Sequence, residues 1–347
     1  MASQNIPLRS LGKNGPKVPA MGFGLMPLSY AYGTVPPDEE RFQLLDRALE
    51  LGCTFWDTAD LYGDSEELLG RWFKRTGNRD KIFLASKFGF VKGEPGYAVE
   101  SSAEYCKKAC EESLRLLGTD HIDLYYLHHP NPRVPIEQTI RAMAELKAQG
   151  KIHYIGLSNC GVATIRRAHA ITPISVVQTE YSAFHRIIEG PEGHNTLKVC
   201  RELGISVVCY SPLGRGMLTS TFASLAAPGE DDPKDMRTKS LPRFLGEAKD
   251  HNAKIVAKFS ELAAKHNCTA SQLAIAWLLK QGDDIIPIPG TRKIKWLEQN
   301  WAALQIQLSD EDEKEIRYFI ETSDIKGKHL PEAFDADLAF VETVEES

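Results

Sequence analysis

No apolar stretch in this 347-residue sequence approaches the roughly 18 residues that a bilayer-crossing helix needs. No membrane span is therefore expected. Met1 to Leu11 hold polar residues and a proline where a secretion leader carries an apolar core, so no signal peptide is expected either. The last residues, Glu345-Glu346-Ser347, match neither a prenylation nor a peroxisomal signal. Paired cysteines are also missing. The seven thiols lie scattered at 53, 106, 110, 160, 200, 209 and 268, with no Cys-x-x-Cys among them. That pattern fits reduced thiols and a cytoplasmic protein. Lys and Arg number 41 against 47 Asp and Glu, a net charge of -6, with no basic block. Nothing in this balance favours a nucleic-acid partner. A dinucleotide-binding Gly-x-Gly-x-x-Gly turn fails as well, because Pro27 stands where Gly22-Phe23-Gly24 needs its third glycine. There is no Gly-x-Ser-x-Gly elbow. His128 and His129 are adjacent without a Glu-x-x-His or a third ligand, so no metal is expected.

What the chain does have is a rhythm. Short apolar runs at Met21–Leu25, Thr54–Asp57, Ile82–Ser86, Ile122–Leu127, Ile152–Leu157, Val176–Gln178, Ile205–Tyr210 and Ile285–Ile288 read as strands. Amphipathic stretches separate them: Pro37–Leu51, a helix capped by Ser65, one opened by a Ser101…Glu104 capping box and closed by Gly118, Pro135–Gln149, Val162–Ala170, Asn195–Leu203, Asn252–His266, and Ser271–Lys280 behind Thr269…Gln272. Eight β-then-α units argue for a parallel sheet closed into a (β/α)8 TIM barrel, with an open doubly wound sheet as the competitor. The expectation is one domain over residues 1–347, with its core at about 8–320. Residues 219–250, rich in Ser, Pro, Gly and Asp, read as a lid or binding loop after the seventh strand. After the last strand, Ser309…Asp312 opens a helix, and residues 322–347 form an acidic tail.

In a barrel, chemistry lives where strands end. Those ends carry Asp57, Lys87, His128, Ser158-Asn159, Gln178, Tyr210-Ser211 and Gly290-Thr291-Arg292, with Tyr62 five residues beyond Asp57. A carboxylate closing an apolar strand is costly without a cation, and Lys87 can supply one. A phenol with a pKa of about 10 needs a neighbouring cation to be a useful acid near neutrality. An ammonium ~4 Å away, at an effective dielectric near 20, is worth about 4 kcal/mol, or about three pKa units. Lys87 is therefore expected to lower Tyr62, with Asp57 holding Lys87 and His128 bonding the phenol or a substrate carbonyl. A proton donor without a nucleophile or metal suggests carbonyl reduction with a hydride from a bound cofactor. Met26, Tyr30, Tyr32, Trp56, Phe88, His129 and the 219–250 loop are the expected pocket walls, suited to an apolar or aromatic carbonyl compound.

Asp57…Tyr62-Gly63, Lys87, Asp123-Leu-Tyr-Tyr-Leu-His128, Gly156-Leu-Ser158-Asn159, Gln178-Thr-Glu180-Tyr181, Tyr210-Ser-Pro-Leu-Gly214 and Pro289-Gly-Thr-Arg292 occur in order. Together they resemble the aldo-keto reductase superfamily. Asp235-Met-Arg237 and Pro242-Arg-Phe244 are similar to its microbial aryl-alcohol-dehydrogenase and pyridoxal-reductase-like members. The resemblance implies NADP(H) across the barrel mouth, Tyr62 as general acid, and Asp57, Lys87 and His128 completing a tetrad. It implies that Ser158, Asn159 and Gln178 hold the nicotinamide carboxamide, with Tyr210 stacked on the ring and Gly24 and Asp57 alongside. Ser211, Pro212, Leu213, Gly214, Arg215 and Gly216 would follow the pyrophosphate. Gly290, Thr291 and Arg292 would meet the adenosine 2′-phosphate, and Gln299 and Asn300 the adenosine. Gln299 departs from the glutamate usual there, as do His129-Pro130-Asn131 and Pro27 from the usual loop residues. An NADP(H)-sensing regulatory subunit with weak reductase activity is the alternative reading. Oligomeric state is not legible.

Overall fold

The computed structural model describes residues 6–93, 98–226, 229, 232–331 and 340–346. Parts of the expected long loop (227–228 and 230–231) and tail (332–339 and 347) lie outside the described residues, as do residues 1–5 of the expected domain. Eight parallel strands form one sheet: β1 Phe23–Gly24, β2 Phe55–Asp57, β3 Phe83–Phe88, β4 Ile122–Leu127, β5 Ile152–Ser158, β6 Val176–Glu180, β7 Ser206–Tyr210 and β8 Ile285–Pro287. Their spatial order is their chain order. The sheet curls until its edges meet: Gly22 N donates to Pro287 O at 3.0 Å and Gly24 N to Pro289 O at 3.3 Å. Glycine is needed at this seam, since a Cβ on Gly24 would sit 2.7 Å from Ile288 O. The result is a (β/α)8 barrel.

Alternate strand residues face opposite ways. Phe55, Ala85, Leu124, Tyr126, Val176, Val208 and Ile286 fill the interior, while Trp56, Leu84, Tyr125, Ile155, Val177 and Val207 pack outward among the helices. Helices Asp38–Glu50, Ser65–Thr76, Ala103–Leu117, Ile136–Ala148, Val162–Ile171, Thr196–Leu203, Gly246–Lys265, Ala270–Lys280, Ile294–Ala302 and Asp310–Thr322 surround the barrel. The capping boxes at Thr269/Gln272 and Ser309/Asp312 form as expected. Two expected caps move. Ser65 lies inside its helix, with its hydroxyl on Thr58 Oγ1 at 2.7 Å. Ser102, not Ser101, caps Ala103–Leu117, accepting from Tyr105 N at 3.2 Å.

An unexpected hairpin, Leu8–Ser10 with Lys17–Pro19, closes the foot of the barrel, and its Leu11 and Val18 join the interior cluster. At the mouth, the loop after β1 meets the loop after β7. Met236 N donates to Ala31 O at 3.0 Å, and Thr34 N donates to an Asp232 carboxylate oxygen at 2.5 Å. The latter loop is less irregular than its composition suggests, with short helices at Ser220–Ala223 and Arg237–Ser240.

Candidate active site

A cavity of ≈ 590 Å³ opens at the C-terminal ends of the strands. Tyr62 and His128 border it on one side and Thr291, Arg292 and Asn300 on another, with Ser158, Asn159, Gln178 and Tyr210 also in its wall. Beneath it lies Lys87, 0% exposed. Its ammonium donates to an Asp57 carboxylate oxygen and, at 2.8 Å, to Thr58 O. The second Asp57 oxygen accepts from Gln178 Nε2 at 2.7 Å. β2, β3 and β6 thus meet through one buried carboxylate. Burial pulls Lys87 below its ordinary pKa and pushes Asp57 up, and their mutual attraction opposes both shifts.

Tyr62 follows β2 on a turn in which Tyr62 N donates to Ala59 O at 3.2 Å. Its ring centre is 5.0 Å from Lys87 Nζ and 5.6 Å from the His128 ring, which meets it edge-on. The electrostatic balance differs from the sequence expectation. Burial pushes the phenol well above its ordinary value, Asp57 adds to that, and Arg215 opposes it. Lys87 is engaged by Asp57 and Thr58, and the net shift of the phenol is upward. Burial, then the Lys87 cation, holds His128 well below its ordinary value, so the imidazole is neutral near pH 7. Its Nδ1 and the Ser158 hydroxyl are buried without a hydrogen-bond partner among the described residues.

Asn159 has a left-handed φ of 57°, and its side-chain oxygen accepts from the Tyr210 hydroxyl at 3.2 Å. Ser211 and Arg215 also have positive φ, 51° and 59°. They bend the chain after β7 around the cavity. Arg215 pairs with Glu180 at 3.0 Å. Arg292 reaches across the mouth to Thr34 O at 2.8 Å.

The cavity wall includes Gly24, Met26, Tyr30, Tyr32, Asp57, Ser211, Pro212, Leu213, Gly216, Gly290 and Gln299, all expected there. Gly214 lies buried in the turn, off the wall. Three expected wall residues are corrected. Trp56 and Phe88 are 0% exposed and pack outward, and His129 is buried behind Phe90. Each follows or precedes an inward residue of the set Asp57, Lys87 and His128, so its side chain takes the opposite face. Phe90, which the sequence reading missed, does line the cavity, with its ring 5.0 Å from that of His128. It lies beyond Gly89, whose φ of 131° breaks the alternation. Leu61 and Trp296 were missed as well, whereas Met236 and Arg237 lie in the 219–250 loop expected at the pocket and in the Asp235-Met-Arg237 element already singled out. Two histidine–carboxylate groups converge only in space, His121–Asp123–His153 at the foot and Glu180–His185–His329 beside Arg215.

Barrel and site together define an oxidoreductase-like mouth, and the comparisons give it a family. The Aldo/keto reductase family model matches residues 20–321, and the chain belongs to that family. It is 47% identical over 332 residues to the aldo-keto reductase yakc [NADP(+)] of Schizosaccharomyces pombe, covering 94% of this chain and 95% of that one. It is 45% identical over 331 residues to the aldo-keto reductase str7 of Strobilurus tenacellus, covering 93% and 94%. Among solved structures it resembles the thermostable aldo-keto reductase Tm1743 in complex with the inhibitor epalrestat. That match has a TM-score of 0.72 at 29% identity, covering 90% of this chain and 100% of the other.

Proposed function

We propose that this protein is an NADPH-dependent oxidoreductase that reduces an aldehyde or ketone to an alcohol, with Tyr62 as the proton donor. The observation that carries the reading is the convergence, on one cavity, of the Tyr62 phenol, the His128 imidazole and a row of amides leading to a cationic rim. The residues fit the cofactor that the S. pombe relative's name carries. Ser158 presents a buried hydroxyl with no partner among the described residues, and Asn159 and Gln178 stand beside it to take a carboxamide. Tyr210 offers a ring face. Thr291, Arg292 and Lys293 offer a charge-assisted cradle for a phosphate. NADPH, when bound there, supplies the hydride.

The chain's own groups supply the rest. His128 and the Tyr62 hydroxyl orient the substrate oxygen. As that oxygen gains negative charge, the Tyr62 proton moves to it, because an alkoxide is a stronger base than a phenolate. Lys87, 5.0 Å from the ring, and Arg215 then balance the charge left on Tyr62. Asp57 keeps Lys87 in place. Leu61, Phe90, Tyr30 and Met236 give the substrate an apolar surround, which supports an apolar carbonyl compound. Among the described residues all seven cysteines are free and no helix is long and apolar enough to cross a membrane, which supports the cytoplasmic residence proposed. The test is loss of nicotinamide absorbance across a panel of aldehydes and ketones. Turnover with NADPH and little with NADH is expected. No turnover with any carbonyl, despite NADPH binding, would overturn the reading.

A further inference from the structure

The C-terminal segment Phe340–Glu346 returns from the acidic end of the chain to the loop that carries Asn159. Val341 N donates to Asn159 O at 2.9 Å, and Val341 O accepts from Gly161 N at 2.8 Å. The two strands of chain thus bracket Cys160 as a short parallel bridge. The next residue, Glu342, acts on the helix Val162–Ile171. That helix begins after Gly161, which has no side chain to cap it. Glu342 supplies the missing acceptor: its carboxylate takes Ala163 N at 3.0 Å, Thr164 N at 2.7 Å and Thr164 Oγ1 at 2.7 Å. A carboxylate on those first-turn amides also suits the helix dipole.

Further along, Thr343 N donates to Thr164 Oγ1 at 3.0 Å, and Arg167 bonds Thr343 O at 2.9 Å and Val344 O at 2.8 Å. Val344 N reaches Pro132 O at 2.9 Å, in the loop after His128. The segment therefore ties together the two loops that hold His128 and Asn159. None of the described residues 340–346 borders the cavity. The fit is close. A Cβ on Gly161 would run into the Glu342 carboxylate and lie 2.7 Å from Phe340 O, so glycine is what admits the segment.

We infer that residues 340–346 are a positioning strap for the cofactor site, acting through Asn159. The inference rests on the reading of Asn159 as a ligand of the nicotinamide amide. Asn159 holds a left-handed φ that asparagine tolerates but does not demand. Its backbone carbonyl is fixed by Val341, and its side chain is aimed by Tyr210. Freed from the strap, the loop has other conformations open to it, and binding must first restore the productive one.

The test compares the full chain with a chain lacking residues 340–347, and with Glu342→Ala, Glu342→Gln and Asn159→Ala. In the absence of cofactor, amide exchange at 159–164 should quicken at least about tenfold in the truncated chain and in Glu342→Ala. The Kd for NADPH, read by tryptophan quenching, should rise about tenfold in both. Glu342→Gln, which keeps an acceptor oxygen, should fall between Glu342→Ala and wild type. If the truncated chain does not fold, Glu342→Ala decides. Wild-type Kd and exchange in these variants, with only a lower melting temperature, would reduce the strap to a stabilising tail and overturn the inference. Asn159→Ala separates the two layers: wild-type NADPH affinity there would remove the cofactor role of Asn159 itself, and the strap's purpose with it.

Discussion

The two ends of the barrel are built to opposite specifications. At the foot, polar groups find protein partners. Arg9 donates to Ile285 O and, at 2.6 Å, to Leu279 O. Ser206 Oγ accepts from Gly12 N at 2.7 Å and donates to Ser10 O at 2.8 Å. Leu11 and Val18 seal the interior. At the mouth, a lysine and a carboxylate are buried together, and His128 Nδ1, Ser158 Oγ and Arg215 Nε lack partners among the described residues. Buried polar atoms are normally satisfied, and these three border the cavity, where a bound molecule could reach them. At the foot the polar groups are closed off within the protein, and at the mouth some are left open.

The largest effect should come from breaking the buried pair. Lys87→Met leaves Asp57 without its cation, which costs about 3–5 kcal/mol. Urea denaturation should show that loss, and turnover should vanish with it. Next, Tyr62→Phe should lower turnover by about a hundredfold or more with NADPH affinity nearly unchanged. Retained turnover would end the division of labour drawn between the two ends. At the rim, Arg292→Ala should weaken NADPH at least about tenfold, the loss of roughly 1.5–3 kcal/mol for a charged hydrogen bond, while NADH binding hardly moves. Titration by tryptophan quenching reads both. The converse holds at the foot, where Arg9→Ala should cost about 1–3 kcal/mol of stability. Its KM and turnover should match the wild type.

A separate test is a pH-dependent one. Asp60, buried beneath the mouth, is pushed up to about 8 by burial and by Glu66. Its folded pKa lies above the ordinary 3.8, so the folded chain keeps a proton that the unfolded chain releases. Stability from this proton is complete below about pH 4 and lost as pH rises through about 8. Asp60→Asn removes that loss. Its melting temperature relative to wild type should therefore improve from about pH 5 to about pH 9. A constant difference would mean that Asp60 titrates normally.

Asp57, Lys87 or His128 alone could pass for a turn or core residue, and the strand ends were legible because strand after strand stops at such a polar residue on one rim. Their neighbours Trp56, Phe88 and His129 were misplaced because proximity in sequence was taken for a shared face, and strand alternation forbids that. The hairpin at Leu8–Ser10 and Lys17–Pro19 gave no signal, since three-residue strands hold too few positions to show a period. Helix Gly246–Lys265 starts before the expected Asn252 because its first residues, Gly246 to His251, are mostly polar and show no apolar face. Glu342 was invisible for another reason. The helix it caps lies far back in the chain, and only the fold brings the two together.

The seam between Gly22 and Pro287 has a consequence for how this chain comes into being. The cylinder has no complete rim until its last strand has been made, so a ribosome must deliver most of the polypeptide before the first strand gains its second neighbour. Until then both free edges stand open to the wrong pairing. Pairing across so long a stretch of chain is among the slower contacts a fold can make, and open strand edges are the ones prone to aggregate meanwhile.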